Sequence, residues 1–146
     1  MNPLNISQVA LVVRDIEKTL KHLSSLWPIG PFQIREMDVP DAIVHGKQTR
    51  VKAKLAFFQA GPIEVELIEP GEGENIFREF LNTKGEGLHH LGIRVSDIKS
   101  EMARLMGGGI HVLQSGDTPR VSFAYMDTEG TAGVIFELLQ LKQNPA

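Results

Sequence analysis

Two stretches of this chain repeat one another at an offset of 82 residues. Residues 8–20 read QVALVVRDIEKTL and residues 90–102 read HLGIRVSDIKSEM, which aligns Asp15 with Asp97. A repeat this long that occurs only twice is not a solenoid, so it predicts a duplicated supersecondary unit. We therefore expect one domain over residues 1–146, built from two similar modules.

Each copy opens with an apolar run followed by a helix signal. In the first module a strand is predicted at 8–13, and Asp15 stands where a helix N-cap belongs. The apolar stripe of that helix ends at Pro28 and consists of Ile16, Leu20, Leu23 and Trp27. In the second module the predicted strand covers 88–95, Asp97 is the cap, and the helix stops at three glycines, Gly107, Gly108 and Gly109.

Extended segments follow each helix, so both modules are predicted to have the order βαβββ. They are expected at 32–38, 50–59 and 62–69 in the first module and at 110–114, 120–127 and 133–140 in the second, with turns at Pro40, Gly46, the Gly61-Pro62 pair, Gly116, Pro119 and Gly130. Glu66 and Glu137, near the module ends, differ by 71 residues instead of 82, so the first module is 11 residues longer. The excess is expected as loop between 28 and 50, at a substrate entrance.

The modules are expected at about 5–70 and 87–141, joined by a helix at about 75–83 whose apolar residues have helical spacing. The net charge of −3 gives no reason to expect nucleic acid or an anionic membrane as a partner. No apolar run is long enough to span a membrane, and the start of the chain lacks signal-peptide features. The chain has no cysteine, so disulfides and thiolate metal sites are excluded. A cytoplasmic location is predicted.

Four polar residues interrupt strands that are otherwise apolar. Glu137 lies in a strand with apolar side chains on both faces, where a lone carboxylate would cost several kcal/mol unless it meets a charge, a metal or a proton. Glu66 is its counterpart in the first module, and Gln8 and His90 are counterparts in the two first strands.

The repeat relates these four residues by approximate twofold symmetry. Gln8, Glu66, His90 and Glu137 are therefore predicted to form a four-ligand nitrogen and oxygen site for one divalent metal ion, with Zn²⁺, Co²⁺, Ni²⁺ and Mn²⁺ all left open. Any one of them alone would be interpreted as a hydrogen-bonded or solvated residue. Their coincidence at both module openings and both module ends favours the metal site.

Other polar residues carry weaker signals. Arg94 shares a strand face with His90 and is a candidate for binding an anionic substrate group, with an ion pair to one of the glutamates as the alternative. His89 is expected on the opposite face from His90, as a packing residue or as a support for the ligand. Glu64 is expected near a strand end, in water.

Several motifs resemble the vicinal oxygen chelate superfamily, the group of glyoxalase I, methylmalonyl-CoA epimerases, bleomycin resistance proteins and extradiol dioxygenases. The resemblance covers nearly the whole chain. It is most similar to the epimerases between 61 and 98, particularly in Glu-Leu-Ile-Glu-Pro at 66–70 and Gly-Glu-Gly-Leu-His-His at 85–90. It implies an α+β fold in which two βαβββ modules, each a curved mixed sheet, form an open barrel-like cleft.

The resemblance also places the metal ligands of the superfamily on Gln8, Glu66, His90 and Glu137. Epimerases usually have His where Gln8 stands and often have Gln where Glu66 stands. The order Gln, Glu, His, Glu resembles instead the ligand set of some glyoxalase I enzymes. The segment 50–59 contains no carboxylate that could serve as the second base of an epimerase.

The functional hypotheses follow from this resemblance. The first is a metal-dependent isomerase that abstracts a proton alpha to a thioester carbonyl, like methylmalonyl-CoA epimerase, with Glu137, or Glu66 by symmetry, as the base. The substrate would be an acyl-CoA or a related thioester, and the protein a homodimer. The alternatives are a glyoxalase I-like lyase acting on a thiol hemithioacetal and a non-catalytic protein that sequesters a ligand or antibiotic. An extradiol dioxygenase is disfavoured because Gln8 replaces a histidine of its metal triad.

Overall fold

The computed structural model describes residues 3–143. Eight strands and four helices follow one another along the chain. The first half contains β1 (Ile6–Val12), α1 (Ile16–Leu26), β2 (Gln33–Val44), β3 (Lys47–Ala60), β4 (Ile63–Pro70) and α2 (Ile76–Lys84). The second half contains β5 (Gly87–Arg94), α3 (Ile98–Gly107), β6 (Val112–Asp117), β7 (Val121–Met126), α4 (Glu129–Ala132) and β8 (Ile135–Leu141).

The strands form one closed ring in the order β1-β4-β3-β2-β6-β7-β8-β5. Each module contributes four neighbouring strands in the same internal order, with its first and last strands parallel. Antiparallel pairs join the modules, β1 with β5 along most of their length and β2 with β6 through two residue pairs. The predicted α+β fold of two βαβββ modules is confirmed, and hydrogen bonds close the ring around a cleft that reaches solvent at one end.

The helix starts follow from their capping residues. The Asp15 side chain accepts a hydrogen bond from the backbone N–H of Lys18, and Asp97 does the same for Ser100. These bonds satisfy N–H groups that have no partner inside the helix, and each such cap contributes about 1 kcal/mol. The repeated Asp therefore starts α1 and α3 at equivalent places in the two modules.

The extra residues of the first module lengthen strands, so the expectation of added loop was wrong. β2 and β3 have 12 and 14 residues, whereas β6 and β7 have 6 each. Pro40 lies inside β2 rather than at its end, because the pairing register with β3 shifts between Val39 and Ala42. Such an irregularity tolerates a residue without an N–H donor.

The second module departs from the sequence expectations at two smaller points. Gly116 lies within β6 and not in a turn: a Cβ atom there would come within 2.5 Å of the Phe123 ring, so the glycine allows close strand packing. The one-turn helix α4 was not predicted, since four residues are too few to show an apolar period.

The hydrophobic core has three parts. The helix α1 covers the outer face of β3 and β4, and α3 covers the outer face of β7 and β8. Inside the ring, α2 inserts Phe77, which is fully buried, among side chains from both modules. Burying one such side chain stabilises a fold by about 2 to 3 kcal/mol. This packing fills one end of the ring and leaves the other end available for a cavity.

Among residues 3–143, none of the helices has the length and apolar character needed to cross a membrane.

Candidate metal centre

Glu66, His90 and Glu137 converge inside the ring, at the boundary between the packed core and the open end. Each offers one ligand atom, and these atoms lie within 4.8 Å of one another. His90 is fully buried, and the exposed fractions of Glu66 and Glu137 are only 7% and 4%. The ring order β4-β1-β5-β8 places β4 and β8 on either side of the β1–β5 pair, and Glu66, His90 and Glu137 meet on the inner face of these four strands.

The separations between these atoms suit a shared cation. The His90 Nε2 atom lies 2.8 Å from Glu137 Oε2 and 3.6 Å from Glu66 Oε1. Ligand atoms that each sit about 2.1 Å from a metal, at angles of 90° to 110°, are roughly 3.0 to 3.4 Å apart. The observed distances bracket that range.

The two inward carboxylate oxygens have no hydrogen-bond partner among the described residues. These atoms are Glu66 Oε1 and Glu137 Oε2, and both are buried. Glu137 Oε2 lies 2.8 Å from His90 Nε2, but the two atoms do not meet the angular requirements of a hydrogen bond. Buried oxygens without partners are costly, and a bound cation would satisfy them. The residues therefore fit a divalent metal with nitrogen and oxygen ligands.

Gln8 brings a fourth atom to the same place. Its Oε1 lies 3.4 Å from His90 Nε2, and its Nε2 donates a 3.0 Å hydrogen bond to Glu64 Oε1. This bond turns the amide so that the oxygen faces the triad. Gly92 makes the position possible, because a Cβ atom there would lie 2.9 Å from Gln8 Cβ and 3.0 Å from its Oε1. The corresponding residue of the first module is Ala10, so this clearance exists only in the second.

The buried environment makes Glu66 and Glu137 weaker acids than an ordinary glutamate. Burial, together with the charges of Glu137 and Glu64, raises the pKa of Glu66 well above its usual value. Burial also raises the pKa of Glu137 to about 8, although the Tyr125 hydroxyl beside it partly offsets the rise. For His90, burial lowers the pKa to about 3, which favours a neutral ring with a lone pair available to a metal.

The position of His89 corrects the sequence expectation. The register between β1 and β5 shifts so that Ala10 pairs with His90 and Leu11 with Leu88, which leaves His89 as an unpaired bulge residue. A bulge breaks the alternation of faces. His89 consequently points inward beside His90, and the Nδ1 atoms of the two rings are 2.8 Å apart. Only 2% of His89 is exposed.

A cavity of about 850 Å³ opens above the triad. Gln8, Glu66 and Glu137 line it, while His90 lies behind them in the floor. Arg94 also lines this cavity, and among residues 3–143 its side chain forms no ion pair. The alternative of an ion pair between Arg94 and a glutamate is thus not observed.

Sequence reasoning missed parts of this site. Tyr125 is buried next to Glu137 on the paired strand and lines the cavity, and burial raises the pKa of its phenol well above the usual range. Glu64 was expected in water but is half-buried and holds the Gln8 amide. Tyr125 precedes the last strand in a run of apolar residues, which looks like ordinary core in the sequence. Only its register opposite Glu137 identifies it.

Comparisons with known proteins agree with this architecture. The family model described as Glyoxalase/Bleomycin resistance protein/Dioxygenase superfamily matches residues 7–125. The uncharacterized protein YqjC of Bacillus subtilis (strain 168) is 30% identical over an alignment of 96 residues, with 62% of this chain and 67% of that protein covered.

Solved structures share the fold at low sequence identity. The methylmalonyl-CoA epimerase from Mycobacterium tuberculosis superimposes with a TM-score of 0.70 at 17% identity, covering 95% of this chain and 89% of that one. A variant of the Streptomyces coelicolor methylmalonyl-CoA epimerase, in complex with 2-nitronate-propionyl-CoA, gives a TM-score of 0.68 at 20% identity, covering 98% and 100%. At these identities the likeness demonstrates a common fold.

Proposed function

This chain belongs to the glyoxalase/bleomycin resistance protein/dioxygenase superfamily, and from that membership we propose that it is a metal-dependent isomerase acting on a thioester. The reaction would be abstraction and return of a proton alpha to the thioester carbonyl, as in methylmalonyl-CoA epimerase. One observation carries the proposal: Glu66, His90 and Glu137 converge, buried, on the floor of a solvent-reaching cavity.

The proposed metal ligands are Glu66 Oε1, His90 Nε2 and Glu137 Oε2, with Gln8 Oε1 as the fourth. A divalent cation held there would draw electron density from a substrate carbonyl oxygen and thereby acidify the neighbouring C–H bond. Zn²⁺, Co²⁺, Ni²⁺ and Mn²⁺ all accept such a set of nitrogen and oxygen donors.

Glu137 is the proposed base. Its carboxyl lines the cavity, and it would loosen from the metal to take the proton from the substrate and return it. Glu66 is the alternative by symmetry, but burial and its acidic neighbours raise its pKa and no hydroxyl group offsets the rise. Tyr125 supports the assignment to Glu137 because its hydroxyl lies beside that carboxylate.

The proposed substrate is a 2-methyl-branched acyl-CoA or a related thioester. Structural neighbours include epimerases whose complexes hold methylmalonyl-CoA and 2-nitronate-propionyl-CoA. In this chain the cavity of about 850 Å³ is large enough for the acyl end of such a ligand, since pockets for drug-sized ligands measure roughly 300 to 1,000 Å³. We propose Arg94, at the open end of β5, as a contact for a negatively charged group of the substrate.

The proposal is tested first by metal content and then by isotope exchange. Protein purified without chelators should contain one divalent metal per chain. With methylmalonyl-CoA in D₂O, NMR should show deuterium appearing at the alpha carbon faster than in a metal-stripped sample. A metal-loaded protein that leaves this carbon fully protonated would rule out the epimerase assignment.

A glyoxalase I-like activity is the second candidate, and two observations favour it. The Gln8 oxygen faces the triad, which completes the order Gln, Glu, His, Glu that resembles some glyoxalase I enzymes. The β3 wall of the cavity presents Leu55 and Phe57, so this strand offers no second base for a two-base epimerisation. Growth of thioester absorbance from methylglyoxal and a thiol would identify this activity.

A non-catalytic, ligand-sequestering protein is the third candidate. It would need no buried cluster of metal ligands, so absence of metal even after soaking with Zn²⁺ or Ni²⁺ would support it over both enzymes. The homodimer and the cytoplasmic location remain predictions.

A further inference from the structure

The histidine next to the proposed ligand has a role that the metal site alone does not explain. We infer that His89 is a positioning residue, which accepts a hydrogen bond from His90 Nδ1–H and so keeps the His90 Nε2 lone pair directed at the metal. The inference rests on the proposed metal-dependent function and adds a named support for its only nitrogen ligand.

The contact between the two rings is direct. Their Nδ1 atoms are 2.8 Å apart, and both side chains are buried, with exposed fractions of 2% for His89 and 0% for His90. In a bond between two imidazole nitrogens one must donate and the other must accept. The pair therefore has two possible arrangements. If His90 donates, its proton is on Nδ1, and if His90 accepts, its proton is on Nε2.

The surroundings of His90 select between these arrangements once a cation is present. Its Nε2 atom faces oxygens of Gln8, Glu66 and Glu137, which are the other proposed ligands. A nitrogen that binds a metal carries no proton, so the His90 proton must be on Nδ1. His89 Nδ1 is then the acceptor, and the His89 proton is on its Nε2.

The remaining sides of the His89 ring are fixed by packing. Its centroid lies 5.3 Å from that of Phe77, 5.1 Å from Phe80 and 6.0 Å from Tyr125, all edge-on. The ring also lies beside the backbone of Ile76 at the start of α2. This packing holds the acceptor in place, so that forming the bond requires little loss of side-chain freedom.

The first module has no equivalent support. Ser7 stands at the place that corresponds to His89, and Gln8 is oriented instead by its own bond to Glu64. A glutamine amide has fixed donor and acceptor ends, whereas an imidazole has two tautomers. Only the histidine of the quartet needs a partner that decides where its proton resides.

The test compares His89→Leu with His89→Asn. Leucine fills the apolar surroundings but accepts no hydrogen bond, while the asparagine Oδ1 atom can replace the imidazole Nδ1 as acceptor. His111→Leu is the control, because this histidine is exposed and outside the site. Zn²⁺ affinity is measured by competition with a chromophoric chelator. We expect H89L to bind Zn²⁺ about 10- to 100-fold more weakly than the wild type, and H89N and H111L to stay within about threefold of it.

The second measurement uses only the wild-type protein and remains decisive if H89L does not fold. Nitrogen-15 correlation spectra of the Zn²⁺-loaded protein should show His90 protonated at Nδ1 and His89 protonated at Nε2. A His89 ring protonated at Nδ1, or an H89L variant with unchanged Zn²⁺ affinity, would overturn the inference while leaving the metal site intact. A wild-type protein that binds no Zn²⁺ would instead contradict the proposed function, and the inference with it.

Discussion

The two modules present the same carboxylate to the same centre with different neighbours. In the first module Glu66 is paired in register with Phe57, and in the second Glu137 is paired with Tyr125. The phenyl ring offers Glu66 no hydrogen bond, whereas the tyrosine hydroxyl partly offsets the rise in the pKa of Glu137. The polar residues of the two first strands also have different neighbours. Gln8 donates a hydrogen bond to Glu64, whereas His90 contacts His89.

The shared backbone of the two modules and the different neighbours of their carboxylates have separate effects on the site. The repeat brings two carboxylates and two first-strand side chains to one point, which is a matter of backbone geometry. The chemical difference between the halves comes from the neighbours, because burial and hydrogen bonding set the pKa of each group. The proposed roles follow this difference, with Glu137 as the base and Glu66 as the carboxylate that stays a ligand.

The largest effect should come from removing the proposed base. Glu137→Gln keeps an oxygen at the metal but cannot take a proton, so we expect turnover to fall about 100- to 10,000-fold with one metal per chain retained. Glu66→Gln is the matched variant and should lose less turnover. Both are checked by deuterium exchange and metal analysis, and a larger loss in E66Q than in E137Q would reverse the assigned roles.

Removing the proposed ligands in the first strands of the two modules should show that the modules contribute unequally to metal binding. His90→Ala deletes the only nitrogen donor and leaves two buried carboxyl groups, so Zn²⁺ affinity should fall more than about 100-fold, beyond the range for supporting residues. Gln8→Ala removes a neutral amide oxygen and should cost less. Equal losses in chelator competition would show that Gln8 is as strong a ligand as His90.

The metal-free protein should lose stability as pH rises from 6.5 to 8. The folded-state pKa values of Glu66 and Glu137 are raised, so the folded state holds protons that the unfolded chain has released above its ordinary glutamate pKa. Burial lowers the pKa values of His89 and His90 to about 3. These two groups make stability rise with pH, but only below pH 6.5. Glu137 alone should contribute a loss of roughly 2 kcal/mol over this window.

Urea denaturation at pH 6.5, 7.25 and 8 would measure that loss. Added Zn²⁺ should reduce it, since a metal replaces the protons on the carboxylates. Each of E66Q and E137Q should flatten the dependence, because an amide does not titrate. A metal-free protein that gains stability over this window would contradict the environment assigned to both glutamates.

The smallest effect should come from exchanging the neighbours of the two carboxylates. Tyr125→Phe removes the hydroxyl beside Glu137, and Phe57→Tyr offers one to Glu66. A single hydrogen bond is worth about 1 kcal/mol, which corresponds to about fivefold in Zn²⁺ affinity at pH 7. We expect Y125F to weaken binding and F57Y to strengthen it, as checked by chelator competition. Changes in the opposite directions would show that the hydroxyl does not favour the ionised carboxylate.

Much of the fold was predictable because it depends on local and periodic features. The offset between the halves, the Asp15 and Asp97 caps and the apolar strand runs each predict an element that the structure contains. The long strand through Pro40 was not predictable, since proline usually ends pairing and only the partner strand shows where the register shifts.

Some residues of the candidate site could be found from the sequence, and others only from the structure. Gln8, Glu66, His90 and Glu137 were identified by polarity against apolar surroundings and by the repeat, and the structure brings their side chains together. Their roles as ligands and base remain predictions. The supporting residues could not be found from the sequence, because strand alternation placed His89 on the wrong face and gave Tyr125 no distinction from core.

The sequence by itself determined that this chain has two related halves and that each contributes a buried polar pair. These properties follow from the order of residues along a strand or helix, where spacing decides which side chains share a face. Tertiary structure alone decided three features: the bulge that turns His89 towards His90, the register that sets Tyr125 against Glu137, and the glycine that admits Gln8. Each of them depends on pairing between strands that are distant in the chain, and closure of the ring fixes that pairing.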